Sequence, residues 1–367
     1  MTDNKPKKLI VFCDGTWNKP DESDQQGKPC PTNVAKMFRA TAPASNFGEP
    51  QIAHYISGVG THRDEKIRGG AFGFGISDNI KDGYQFICSN YQPGDEIYLF
   101  GFSRGAYTAR SLAGLIHNLG ILHRAHFELI DAVYDHYRDK SDEWHPDPHI
   151  GIKTKEFREK YTYGGEKIHF LGVWDTVGAL GAPYGVLLGW LIDKIYKCRF
   201  HDTKLSSTIE SAYHALSKDE KRWPFRPTLW ELSSSHNPAN FEEHWFDGVH
   251  SDVGGGYADA GLSDKALEWM ASRVRRRGLQ VDLSDQLSKT GSTLQQHDSQ
   301  HWYYQWATLA TVKWPALLLV EGPGKLFKQW PAWVYAKLNS WGFIAEADIR
   351  EKIAAVDNKG DFHRLQQ

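Results

Sequence analysis

Long apolar runs are missing from this 367-residue chain. The longest, Tyr184 to Ile192, falls well short of the roughly 20 residues that a membrane-spanning helix takes. The N-terminus, "MTDNKPKKLIVF", is polar and then enters a strand. It lacks the apolar core of a secretory signal, so a cytoplasmic chain without a signal peptide is expected. Cysteine is scarce. Cys13, Cys30, Cys88 and Cys198 stand far apart and form no CxxC pair, which argues against a disulfide framework or a thiolate metal site and suits a reducing compartment. An excess of one charge is absent too. The formal net charge is -2, and nothing in it points to nucleic acid. No internal repeat or long low-complexity segment appears.

What is present is enough apolar material for one large core, with 40% hydrophobic residues. Leu9 to Cys13 reads as a buried strand, bounded by the turn signal "DGTWN". Gln51 to Ile56 is a second strand, and Glu96 to Phe100 a third. Ile168 to Val173 and Glu243 to Val249 follow as the fourth and fifth. Between them lie helical periods: Asn33 to Thr41, Asp78 to Asn90, and a long one from Arg104 with apolar residues at Ala106, Ala109, Leu112, Leu115, Ile116 and Leu119. Gly120 is its expected stop and Ser263 the expected cap of a later helix. The glycine-rich residues 69–76 read as a loop or lid base. Strands alternating with helices imply a parallel sheet covered on both sides.

The stretch "EIYLFGFSRGAY" ends the third strand in a serine between two glycines. "GFSRG" fits G-x-S-x-G, the strand–turn–helix elbow that presents a nucleophilic serine. Alone the pattern is common. Here a strand precedes it and a helix follows, and Gly101 and Gly105 remove side chains that would crowd the turn. A serine needs a base to take its proton and an acid to orient that base. Asp175 closes the fourth strand in "LGVWDTVGA" and His250 closes the fifth in "WFDGVHSDVGGGY", in the order Ser, Asp, His. Asp252 and Asp247 compete as the acid. His214, in "YHALSKDE", competes as the base, but its helical pattern with Ala212 and Leu216 makes it structural.

The turn "FCDGTW" resembles the DxDGT of aspartate-nucleophile phosphatases, but Phe12 stands at the nucleophile position and removes that chemistry. In an α/β-hydrolase this turn supplies an oxyanion donor. Gly15 and Thr16 are therefore expected oxyanion N–H donors, with the Arg104 N–H as the second. Asp14 is expected to organise the loop. A metal-assisted hydrolase built on Asp14, His250 and Asp252 is the competing enzyme reading.

Together "VFCDGTWN", "GFSRGAYTAR", "GVWDTVGALG", "YHALSKDEKRWPFRPTLW" and "GVHSDVGGGYADAGLSDKALEWM" resemble an uncharacterised-domain α/β-hydrolase family, the one that contains the type VI secretion phospholipase effectors of the first class. The resemblance runs in order from residue 9 to about 270. It implies a serine esterase or phospholipase with Ser103 as nucleophile, Asp175 as acid and His250 as base. It needs no cofactor, and it implies delivery by a type VI secretion system and an immunity or secretion-system protein as partner. A catalytically inactive binding or toxin-component protein is the alternative from another class.

Aromatic residues are plentiful, with 14 Trp, 16 Tyr and 18 Phe, and six tryptophans fall between Trp302 and Trp341. That interleaved stretch suits a buried cap or a peripheral membrane contact. "APYGVLLGWLIDKIYK" leaves the active-site edge just after Asp175. Leu187, Leu188, Leu191 and the neighbouring Trp190 are its expected acyl-site residues. The expectation is a single α/β-hydrolase-like domain over residues 1–367, with helical cap segments at about 179–240 and 280–345.

Overall fold

The computed structural model describes residues 5–15, 26–58, 72–139, 141–147, 149–177, 205–222, 227–230 and 237–288, together with Asn18, Asp21, Ser23, Leu294, Gln296 and His297. All belong to the first of two compact units, Met1–Tyr304. The expected acyl-site segment around Leu187, Leu188, Trp190 and Leu191 lies outside the described residues, as do Thr16 and the tryptophan-rich stretch.

Six strands form one parallel sheet: β1 Lys8–Cys13, β2 Gln51–Ile56, β3 Glu96–Phe102, β4 Ile168–Trp174, β5 Ala212–Ser217 and β6 Phe241–Phe246. Their order is β2-β1-β3-β4-β5-β6. The chain leaves β1 toward one edge, then crosses back and builds toward the other from β3. β1 and β3 therefore flank a switch point, where ligands of open α/β sheets bind beyond the carboxyl ends of the strands.

Seven α-helices are described. They are α1 Asn33–Ala40, α2 Phe72–Asn90, α3 Arg104–Leu119, α4 Ile130–Arg138, α5 Ile152–Tyr161, α6 His250–Gly254 and α7 Gly261–Arg276. Strand alternation sends Leu9, Val11, Ile97, Leu99 and Leu171 into a core under α2 to α5. Ile10, Phe12, Tyr98, Phe100 and Phe170 enter a second core under α1 and α7. Burial on both faces explains why these strands read as continuous apolar runs.

The second face carries an aromatic ladder. Ring centroids lie 5.0 Å apart for Phe12 and Phe100, 5.3 Å for Phe100 and Phe170, and 5.2 Å for Phe170 and Tyr213. Each buried ring of this kind contributes roughly 1.5–3 kcal/mol through removal from water. Gly172 lies beneath the ladder, where an added Cβ would come within 2.8 Å of the Met270 sulfur and 3.0 Å of the Phe100 ring.

Four expectations change. First, the expected cap at 179–240 contains β5, a central strand. Its short run "AYHALS" is buried throughout, and so short a run fits a helical period as readily as a strand. His214 is accordingly a strand residue. Second, β6 ends at Phe246, and Gly248 at φ 104° turns the chain so that His250 opens α6 instead of closing a strand. Third, α2 begins at Phe72, inside the stretch read as a glycine loop. Fourth, Ser263 does not cap α7. The helix begins at Gly261, and the Ser263 hydroxyl donates to the Ala260 carbonyl.

Candidate active site

Ser103 stands between β3 and α3, at the N-cap of the helix, with φ 57° and ψ -121°. An ordinary residue adopts such a backbone only under constraint. The constraint is visible. The Ser103 N–H donates to the Trp174 carbonyl of β4 at 3.1 Å, and the Tyr107 N–H donates to the Ser103 carbonyl at 3.3 Å. The flanking glycines are obligatory. A Cβ on Gly101 would lie 2.4 Å from the Gly105 carbonyl oxygen, and one on Gly105 would lie 2.1 Å from the Cys13 carbonyl oxygen. The sharp turn therefore packs α3 directly against the end of β1. Gly120, at φ 76°, terminates the helix.

β4 lies beside β3, with Trp174 paired to Phe102. The next residue, Asp175, is fully buried at φ 40°. Its Oδ2 lies 2.6 Å from His250 Nδ1. Oδ2 also accepts from the Ser217 hydroxyl at 2.8 Å, and Oδ1 accepts from the Ser217 N–H at 3.0 Å. With those oxygens occupied, the carboxylate has one orientation, and the histidine contact has the geometry of a charge-assisted hydrogen bond.

His250 is buried, and its ring lies 4.6 Å from the Phe102 ring, tilted by 32°. Phe102 directly precedes Ser103. A Cβ on Gly254 would strike the same ring at 1.9 Å. The glycine run after His250 therefore lets α6 close onto Phe102, which seats the imidazole next to the elbow.

The other expected site residues are distributed differently. Asp14 is fully buried and accepts hydrogen bonds from the Gly15 N–H at 2.6 Å, from the Thr32 hydroxyl at 2.7 Å and from the Tyr55 hydroxyl. Burial pushes its carboxyl up to about 6, against the lowering effect of those donors and of Asn18. The Gly15 N–H is thus spent on Asp14 and leaves the set of oxyanion donors. The Asp14 side chain folds back over its own loop and takes it. Arg104 opens α3, where N–H groups lack helical partners, and burial pushes its guanidinium down to about 10.

Asp252 turns away from His250. Its Oδ2 accepts from the Val249 and His297 N–H groups, and its Oδ1 lies 2.6 Å from His297 Nδ1. Asp247 is 3.1 Å from the Lys218 ammonium in an exposed pair. His214 is fully buried. Its Nε2 accepts from the Thr176 N–H at 3.1 Å, and its Nδ1 is 3.5 Å from Glu243. Burial holds its pKa below the ordinary 6.5. Asp14, Asp252 and His250 each face different partners. Among the described residues no group of three or more His, Cys, Asp or Glu is arranged to hold a metal. Ser217 escaped the sequence reading, since only its place at the end of an unrecognised strand would have revealed it.

A parallel sheet with crossovers on both faces and a strained serine between its third strand and the following helix defines an α/β-hydrolase-like protein. Residues 7–273 match the family model described as "T6SS, phospholipase effector Tle1-like, catalytic domain", and the chain belongs to that family. It is 27% identical over 238 residues to an uncharacterized Saccharomyces cerevisiae protein, YEL023C, covering 60% of this chain and 32% of that one. Among solved structures, an uncharacterized Pseudomonas aeruginosa protein aligns with 17% identity and a TM-score of 0.44, covering 83% of this chain and 51% of the other. Native esterase 2 of Thermogutta terrifontis aligns with 12% identity and a TM-score of 0.40, covering 79% and 86%. The chain thus spans about a third of the yeast relative and half of the Pseudomonas chain. No described helix is long and apolar enough to cross a membrane.

Proposed function

We propose that the protein hydrolyses carboxylic esters of lipids, phospholipids foremost, through Ser103, His250 and Asp175. The observation that carries this reading is the 2.6 Å Asp175–His250 contact, seated against Phe102 next to a strained elbow serine. Family membership supports the phospholipid substrate.

The Asp175–His250 contact supports the following chemistry. Asp175 accepts the Nδ1–H of His250, which leaves Nε2 unprotonated and able to accept a proton. Nε2 takes the Ser103 hydroxyl proton as Oγ attacks the ester carbonyl. The tetrahedral oxyanion is held by backbone N–H groups at the start of α3, with Arg104 foremost. Collapse expels the alcohol, which receives the proton from His250, and leaves an acyl-serine. Water then attacks the acyl group, giving its proton to His250, and the carboxylic acid and free Ser103 are released. Asp175 stabilises the imidazolium in both half-reactions. The Gly15 N–H becomes available as a further donor only if the Asp14 carboxylate releases it.

An immunity protein that covers this edge, delivery by a type VI secretion system and contact with a membrane surface fit the same reading. The test is hydrolysis of a panel of short esters and phospholipid vesicles by the full chain and by Ser103→Ala. The proposal expects wild-type turnover to fall by on the order of 10⁴-fold or more in the variant. A folded Ser103→Ala protein with near-normal turnover overturns it. Vesicle binding without cleavage by the wild type would instead identify a binding protein.

A further inference from the structure

Asp175 directly follows β4 and His250 opens the helix after β6, and those two strands do not touch. β5 lies between β4 and β6, so the carboxyl end of β5 is the sheet element that borders both. That end carries "SKDEKR", residues 217–222. Ser217 reaches toward β4, and its N–H and hydroxyl hold both oxygens of Asp175. The next residues reach toward the loop after β6. The Lys218 N–H donates to the Phe246 carbonyl at 3.0 Å, and the Asp219 N–H donates to the Gly248 carbonyl at 3.1 Å. Asp219 Oδ2 accepts from the Gly248 N–H at 2.8 Å. Glu220 Oε2 then accepts the His250 N–H at 3.3 Å. The Glu220 side chain is 1% exposed and is itself fixed by Arg222, whose Nε and Nη2 donate to its two oxygens at 2.9 and 2.7 Å. The Arg222 N–H adds a third bond at 2.8 Å.

We infer that Ser217 and Glu220 are positioning residues for the proposed hydrolysis, one fixing the Asp175 carboxylate and the other the backbone of His250. This rests on the Ser103–His250–Asp175 reading. A clamp is needed because Asp175 has positive φ and α6 is a five-residue helix that cannot hold His250 by its own hydrogen bonding. Ser217 shares Oδ2 with His250 Nδ1, so it sets which carboxylate lone pair the imidazole meets. Arg222 turns Glu220 into a rigid acceptor, since a bidentate guanidinium–carboxylate pair leaves neither group free to rotate. Neither residue touches the reacting atoms. Both act through the acid and the base.

The full chain is assayed with p-nitrophenyl butyrate as Ser217→Ala, Ser217→Thr and Glu220→Gln, with kcat and KM separated and Tm recorded. Ser217→Ala and Glu220→Gln should each lower kcat roughly 10- to 100-fold, the loss of one hydrogen bond to a charged group, with KM little changed. Ser217→Thr, which keeps the hydroxyl, should recover most of it. In an Asp175→Asn background, Ser217→Ala should cost less than about threefold, because the serine then has no acid to orient. A merely structural serine would cost the same in both backgrounds, which overturns the inference. So does wild-type kcat in Ser217→Ala or in Glu220→Gln. Should Ser217→Ala fail to fold, Glu220→Gln decides alone. If Ser103→Ala is inert while the clamp variants turn over normally, only this inference fails. If Ser103→Ala remains active, the underlying reading fails.

Discussion

Asp175→Asn tests the proposed acid with the least change in shape. In the native site Oδ1 faces the Ser217 N–H, a donor that cannot reverse, while Oδ2 faces the Ser217 hydroxyl and His250 Nδ1. The amide oxygen must therefore keep the Oδ1 position, and the NH2 takes that of Oδ2. The Ser217 hydroxyl can rotate and accept. The imidazole can accept only by presenting an unprotonated Nδ1, which moves its remaining proton to Nε2. That tautomer has no lone pair to receive the Ser103 proton. The expected fall in kcat is on the order of 10⁴-fold, or about 5 kcal/mol of transition-state stabilisation. Stability should change little, because every hydrogen bond can be remade. The assay is ester turnover by Asp175→Asn and Asp252→Asn at equal concentration, with urea unfolding of both. An active Asp175→Asn beside an inactive Asp252→Asn would refute the tautomer argument and make Asp252 the acid.

Gly105→Ala places a methyl group 2.1 Å from the Cys13 carbonyl oxygen. It should destabilise the fold by at least about 1–3 kcal/mol and abolish turnover, read by urea unfolding; a native-like midpoint would show that the elbow has slack. Burial depresses the His214 pKa, helped by Arg110 and opposed by Glu243 and Asp175. The folded state then favours neutral imidazole, so stability is full above the unfolded value of about 6.5 and declines as pH falls below it. His214→Gln, which can still accept the Thr176 N–H, should flatten that slope between pH 7.5 and 5; parallel slopes for both proteins would contradict it. Replacing Leu187 and Leu191 with serine should penalise long-chain esters progressively, by up to about 0.8 kcal/mol per methylene no longer buried. Equal losses at all chain lengths, tracking a lowered Tm, would make the segment core.

The elbow was legible because its requirements are local. Two glycines at fixed spacing, an apolar run before them and a helical period after them can be read along the chain. Asp175 was legible from its place at the end of a strand, whereas His250, read as closing a strand, opens a short helix. β5 was not legible. "AYHALS" is short and apolar with one histidine, and only its burial between β4 and β6 selects the extended form. Missing β5 concealed Ser217, Asp219 and Glu220, whose partners lie 29–42 residues away in sequence. The orientation of Asp14 was also beyond reach. That it would organise its loop follows from its type, but that it would take the Gly15 N–H depends on where Thr32 and Tyr55 converge.

An activated nucleophile at Ser103 reacts with an electrophilic phosphorus reagent where ordinary serines do not. The most direct measurement is treatment of the intact chain with a fluorophosphonate, followed by peptide mapping of the adduct. A single adduct on Ser103 is expected, lost in Ser103→Ala and formed far more slowly in His250→Ala. No adduct on folded wild-type protein, or labelling at another serine with Ser103 unmodified, would contradict it.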